Sequence, residues 1–375
     1  MDFIDGRGKK TKYNVEEILI DIYRMRALTI GQIADVFFGG RKHYVYKKLK
    51  RMQEDGLIAD MPHHEKGGRL IQKLYYVTNK GIDLLEQKGY LTGKKRLERF
   101  NKPEKSKVDY VILTNNIYVL LKKHGIKMID SRQWKSEKKL DRNAMVRGGI
   151  VYTEEEQYGL YAFFNEIGEQ SESEEERYVS QKTIQRFLKE LENKGKTQRY
   201  ICLIYGKNMY EQLEKAIKKH RPSILELNLL PCRKNRFAYD LICTYKGINA
   251  QKNRFHRISG IVPLNDDRNA QINPNQSFFS YIGKVSSGEE VYVVDYLMMN
   301  IIAIQALYNH YSHEKYLRDG RKVYLFCWEP IKNGLKKEFQ AYPHIEIIPV
   351  PIEMVKEWKG EKQIGSQQEE EIFSL

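Results

Sequence analysis

Several protein classes are excluded by what this chain lacks. No uninterrupted apolar run approaches the ~18 residues of a membrane-spanning helix, and the N-terminus is charged from Asp2 onward, unlike a signal peptide. Cysteine is scarce. Cys202, Cys232, Cys243 and Cys327 are scattered, none in a CxxC pair and each in or beside an apolar run. That pattern argues against a zinc cluster and predicts a reduced, cytoplasmic protein. No GxxxxGK[ST] phosphate loop occurs, so an ATP-driven initiator or helicase is not expected. The His-hydrophobic-His pair of a rolling-circle relaxase is also missing, and with 26 tyrosines no single one is marked as a nucleophile. His310 and His313 stand three residues apart in a stretch expected to be helical, but no third ligand lies nearby.

Cationic charge, by contrast, is abundant and unevenly placed. Residues 1–107 hold 24 Lys+Arg against 14 Asp+Glu, so +10 of the chain's +15 falls in less than a third of its length. A positive field of this kind attracts polyphosphate and makes binding salt-dependent.

Within that basic third, residues 13–88 carry the periodicity of a winged helix-turn-helix. Val15, Ile18, Leu19 and Ile22 recur at helical spacing. Thr29 is placed to cap a second helix with Ile30, Ile33, Ala34, Phe37 and Phe38 on its apolar face, stopped by Gly39 and Gly40. A third helix is expected from about Arg41 to Glu54, with Val45, Leu49 and Met52 as its core stripe. A rotation of about 100° per residue puts His43, Lys47 and Lys50 on the opposite face, flanked by Lys42, Tyr46 and Arg51. A strand at Leu57–Ala59, a loop from Met61 to Arg69 and a returning strand from Leu70 to Val77 then form a hairpin. Its basic tip carries His63, His64, Lys66 and Arg69, and Thr78 caps a short closing helix. This order places the third helix in the major groove of DNA and the hairpin on the phosphate backbone. The candidate DNA-binding residues are therefore Lys42, His43, Tyr46, Lys47, Lys50, Arg51, Lys66 and Arg69.

Residues 92–107, polar, basic and broken by Pro103, read as a linker or an extra phosphate-contacting arm. A helix at 108–123, strands at about 127–134, 144–152 and 159–167, a helix at 178–194 and a strand at 200–205 follow. That is the order of a restriction-endonuclease-like α/β core. Strands are expected further on at 224–230, 237–245 and 254–262, then a polar loop, Asn265 to Ser277, and a helix from Val291 to Tyr311. A strand at 323–327, a helix at 331–340 and a strand at 345–350 end the pattern. Strand-helix-strand thus occurs at 200–230 and again at 323–350, a twofold repeat that no matching sequence supports. The fold class expected is a multidomain α+β and α/β chain. It comprises a winged-helix domain (1–91), a basic linker (92–107), a nuclease-like α/β domain (108–220), a C-terminal α/β region (221–358) and a disordered tail (359–375). The acidic runs Glu154–Glu156 and Glu169–Arg177 are expected to be solvated loops.

Three stretches of the middle of the chain stand out: Asn143-Ala144-Met145-Val146 with Gly148-Gly149-Ile150, Phe163-Phe164-Asn165-Glu166-Ile167-Gly168, and Lys182 with Phe187. Through them the chain resembles the replication-relaxation family of plasmids and integrative elements, in which a winged helix precedes a nuclease-like region. The family pattern there is Pro-Asp-Ala on the second strand, an aromatic strand ending Glu-x-Asp, and a helical Lys or Arg before an aromatic residue. Asn143 stands where the first Asp would be and Gly168 where the second acidic residue would be. A Mg²⁺ nuclease needs converging carboxylates. Glu166 and Lys182 remain, with Asp141 a substitute if the register slips, so the resemblance implies a nuclease-like fold that has lost its chemistry. No cofactor is expected, with Mg²⁺ entering only if that site is active.

The leading expectation is a sequence-specific double-stranded DNA-binding protein of plasmid or mobile-element replication and mobilisation. It would act as a homodimer whose half-sites lie about one helical turn apart, with a replication or mobilisation protein as a further partner and no membrane partner. A metal-dependent nickase using Asp141, Glu166 and Lys182 is the enzymatic alternative. A winged-helix transcription regulator with an α/β sensor or dimerisation region is the third.

Overall fold

The computed structural model describes residues 3–4, 10–11, 14–64, 69–91, 95–164, 174–192, 198–232, 237–264 and 279–360. The chain divides into two compact units, Met1–Asp130 and Ser131–Leu375, each mixed α/β. No helix among the described residues is long and apolar enough to cross a membrane.

The first unit opens with a small antiparallel pair, β1 (Phe3–Ile4) and β2 (Lys10–Thr11). Then come α1 (Val15–Arg24), β3 (Leu28–Thr29), α2 (Ile30–Phe37), α3 (Lys42–Glu54), β4 (Ile58–His64), β5 (Leu70–Val77) and α4 (Asn79–Gln87). Thr29 and Gln32 form a reciprocal capping box at the start of α2, satisfying two backbone donors that helix geometry leaves open. Gly39 and Gly40 take φ of +57° and +83°, which only glycine adopts without penalty, and so turn the chain from α2 into α3. The three helices close over β3-β5-β4, with Ile18, Leu19, Ile22, Ile33, Val45, Leu49, Val77 and Leu85 in one core. The hairpin strand β4 is longer than expected, since Met61–His64 pair with β5 instead of joining the loop.

Two further segments pack into this unit. The stretch expected to be a linker is anchored, because Arg96 is buried and its backbone N–H donates to the Tyr23 hydroxyl at 2.6 Å. Its guanidinium bonds the Tyr23 carbonyl and pairs with Asp130, while Asn101 is fully buried beside Val77 in the short helix α5 (Glu98–Asn101). The helix α6 (Val108–Lys123) also packs here. Gln32 donates to the Ile112 carbonyl and Asn116 Oδ1, both at 2.8 Å, Asn115 donates to the Ala27 carbonyl, and Lys122 pairs with the buried Asp21. Buried polar groups need such partners, so α6 supplies what the first core demands. The unit ends with β6 (Lys127–Asp130). A strand was expected to run on to residue 134, but Ser131–Glu137 is a helix, α7, whose Trp134 is fully buried.

The second unit holds two sheets with the same connectivity. In the first, β7 (Gly148–Val151) pairs antiparallel with β8 (Gln157–Phe164). The helix α8 (Glu174–Glu192) leads to β9 (Arg199–Tyr205), parallel to β8, and α9 (Lys207–His220) to β10 (Glu226–Pro231), parallel to β9. Then α10 (Phe237–Tyr245), α11 (Ile248–Ser259) and β11 (Val262–Pro263) bring in the second sheet. There β12 (Tyr281–Lys284) pairs antiparallel with β13 (Glu290–Asp295). Helices α12 (Ile301–His310) and α13 (His313–Asp319) lead to β14 (Lys322–Trp328), and α14 (Lys332–Glu338) to β15 (Ile345–Val350), all strands from β13 on being parallel. A last helix, α15, spans Met354–Gly360. Antiparallel hairpin, crossover, parallel strand, crossover, parallel strand therefore occurs twice. Burial sets this repeat without shared residue identities, since each crossover requires only a helix with one apolar face.

Three expected elements differ. Phe237–Tyr245 and the stretch from 254 are helices, not strands. Ala238, Leu241, Ile242 and Tyr245 are buried at i, i+3, i+4, i+7, and Gly260 ends α11 in the left-handed region at φ +72°. The expected helix from Val291 is a strand to Asp295. The helix starts only at Ile301, where the Asn300 side chain accepts the Ile302 N–H. Met299 and Asn300 also cover β10, with Leu229 N–H donating to the Met299 carbonyl and Leu227 N–H to Asn300 Oδ1, which blunts an exposed strand edge. The polar loop expected from Asn265 to Ser277 and the tail beyond residue 360 lie outside the described residues.

Candidate nucleic-acid interface

The face of α3 opposite its core stripe is cationic along its whole length. Val45, Leu49 and Met52 are buried to within 1% of their surface, whereas Lys42, His43, Tyr46, Lys47, Lys50 and Arg51 are all exposed. Tyr46 is 58% exposed and adds an aromatic ring to the cationic face. Thirteen residues make a helix roughly 20 Å long, enough to lie in a major groove. The Lys50–Glu54 contact at 3.9 Å joins two well-exposed side chains and does little to neutralise the face.

The hairpin beside α3 is braced by Asp60. It accepts from Gln53 of α3 at 2.6 Å and pairs with Lys73 of β5 at 2.9 Å, a hydrogen bond that holds the Lys73 ammonium above its usual range. Arg69 is exposed at the start of β5 and is followed by exposed Leu70 and Ile71. Lys66 lies outside the described residues. His63 is drawn back from the tip, its Nε2 standing 3.0 Å from Asp109 Oδ1 of α6.

Of the three candidate catalytic residues, Asp141 and Lys182 fall among the described residues. Asp141 is exposed, and its Oδ1 accepts the Asn143 N–H at 2.6 Å, closing a local turn. Lys182 is exposed on α8, and Glu166 lies outside the described residues. Among the described residues, no group of three His, Cys, Asp or Glu side chains is placed to hold a metal. His310 and His313 fall on different helices, because the chain breaks at Tyr311.

The carboxylate that matters in this region is Glu190. Both its oxygens accept the Met145 N–H at 2.8 Å, the Tyr161 hydroxyl lies 3.2 Å away and Arg186 stands alongside. Burial pushes the Glu190 carboxyl up, and those donors pull it back. The signal for it was present in the sequence, since Glu190 follows Phe187 by three residues on the buried face of α8.

An exposed cationic helix backed by a hairpin, and an α/β region that follows it, define the class: a mixed α/β protein with one strongly basic helical face. Residues 19–183, a little under half of the chain, match the model of the replication-relaxation family. The match runs from α1 into α8 and includes Asn143–Ile150, Phe163–Gly168 and Lys182 of the residues on which the resemblance rests, Phe187 lying beyond it. No curated protein and no solved structure matches the chain.

Proposed function

We propose that residues 15–87 are a winged helix and that the protein is a sequence-specific double-stranded DNA-binding factor in the replication or mobilisation of a plasmid or integrative element. The observation that carries this reading is the outer face of α3, six exposed side chains of which four are cationic, set on a fully buried stripe. In this reading α3 enters the major groove. Lys42, Lys47, Lys50 and Arg51 contact phosphates or guanine edges, His43 and Tyr46 meet bases or sugars, and Arg69, with Lys66, contacts the backbone from the hairpin. Phosphate contacts supply most of the affinity, and three or four base contacts give specificity. The family match to replication-relaxation proteins supports the biological setting. Two copies of the chain on one origin would read half-sites about one helical turn apart.

The nuclease-like region serves as a binding scaffold in this reading, since Asp141 and Glu190 already serve backbone N–H groups. The test is binding of the full chain to fragments of its own element, with Mg²⁺ present, at several salt concentrations. Lys47→Ala with Lys50→Ala should flatten the salt slope by about one to two units, one for each lost phosphate contact. An unchanged slope would remove α3 as the contact. Nicking of supercoiled DNA, lost on Glu166→Ala, would instead establish the enzymatic reading.

A further inference from the structure

The segment joining α7 to β7 is fixed by hydrogen bonds at nearly every step. Lys135 Nζ donates to the Arg142 carbonyl at 3.1 Å, Arg186 to the Asn143 carbonyl, and Ser131 Oγ to the Val146 carbonyl at 2.8 Å. Asp141 holds the Asn143 N–H and Glu190 the Met145 N–H. Asp141 and Glu190 are thus engaged with the backbone, Glu190 also pairs with Arg186 at 3.7 Å and Glu137 accepts from Gln133, yet the cations still outnumber the carboxylates. Residues 131–147 contain six Lys and Arg, namely Arg132, Lys135, Lys138, Lys139, Arg142 and Arg147, against Glu137 and Asp141. Arg186 meets the same loop from α8, with Lys182 one turn earlier on that helix, and Lys139, Arg142, Lys182 and Arg186 are all exposed.

Two residues of this segment, Lys135 and Lys139, are held in place at a cost. Burial lowers the Lys135 ammonium below its usual range, and Arg147 and Arg186 push it the same way, whereas Glu190 and Asp141 oppose them. Lys139 occupies the left-handed position that ends α7, at φ +54°, where its N–H and the Leu140 N–H bond back to Ser136 and Lys135. Glycine is the residue that suits such a helix end, and a lysine there is strained. Crowded cations on a rigid loop are relieved by an anion that bridges them.

We infer that the α7–β7 loop and the outer face of α8 form a second phosphate-backbone contact on double-stranded DNA, in which Lys139, Arg142, Lys182 and Arg186 hold phosphodiesters by charge. The inference rests on the reading of the protein as a DNA-binding factor, and adds a sequence-independent contact to the base-reading one on α3. It concerns the second unit alone and requires no metal.

The experiment is anisotropy-detected binding of the full chain to a duplex carrying its site, from low to moderate NaCl. Wild type is compared with Lys139→Gly/Arg142→Gln and with Lys47→Ala/Lys50→Ala. Both loop substitutions fall on exposed side chains, and Lys139→Gly relieves a strained backbone, so the variant retains its fold, checked by its thermal melt. The loop variant should lose one to two units of salt slope and roughly tenfold or more in affinity near physiological salt, equally on specific and non-specific duplexes. A loop variant that binds with wild-type affinity and slope, while the α3 variant is weakened, overturns this inference and leaves the proposed function standing. No salt-dependent binding by the wild type removes both.

Discussion

Truncation within the first unit tests how far its folded core extends. A fragment ending at Lys107 keeps every element from α1 to α5 but loses α6, whereas one ending at Asp130 keeps it. Val108, Tyr118 and Val119 lie in the same apolar clusters as the helices and hairpin, and each contributes about 2 kcal/mol on burial. Without α6, the carbonyls of Met25 and Ala27 lose the Asn115 amide, Gln32 loses both of its side-chain acceptors and the buried Asp21 loses Lys122. Each such loss adds about 1 kcal/mol or more. The total, roughly 11 kcal/mol, is comparable with the whole stability of a small domain, about 5–15 kcal/mol. The shorter fragment is therefore expected to show no cooperative urea transition by circular dichroism, and the longer one a single sigmoidal transition. Equal midpoints for the two fragments would refute the assignment of α6 to the first core.

Gly149→Ala should destabilise the second unit by about 1–3 kcal/mol or more, because the new Cβ would stand 1.9 Å from the ring of the fully buried Trp134. Thermal denaturation checks it, and an unchanged midpoint would mean that α7 is free to move off β7. Asp295, at the end of β13, has its carboxyl pushed up to about 7 by burial and by Glu226 and Glu156, against the pull of the Leu297 N–H and of Arg254. A pKa raised on folding means that the native state holds a proton the unfolded chain has released. Stability should therefore fall as pH rises from about 4 to 7, by at most about 1.4 kcal/mol per pH unit. Asp295→Asn should flatten that slope and exceed wild type in urea midpoint at pH 8 while matching it near pH 4. A variant no more stable than wild type at pH 8 would contradict the buried, uncompensated carboxylate.

Much of the first unit was legible because its signals are local. Thr29 and Thr78 cap as their position before apolar periodicity implied, the glycine pair separates α2 from α3, and the stripe Val45, Leu49, Met52 is buried, leaving the basic residues outward. The α10 and α11 segments were misjudged because apolar and aromatic content outweighed their i, i+3, i+4 spacing. Val291–Tyr311 was misjudged because one continuous apolar stretch hides a change of period, marked only by Asn300.

What the sequence by itself determined is the first four helices, the hairpin and the sign of the α3 face, for these follow from side-chain period, caps and charge within a dozen residues. What only the tertiary structure decided is where distant groups meet. Arg96 and α6 belong to the first core, Glu190 serves the Met145 backbone, and the two sheets of the second unit repeat one connectivity. Those pairings join residues 45 to 90 positions apart or more, where no local period applies and the choice is made by which buried polar group finds a partner and which apolar face finds cover.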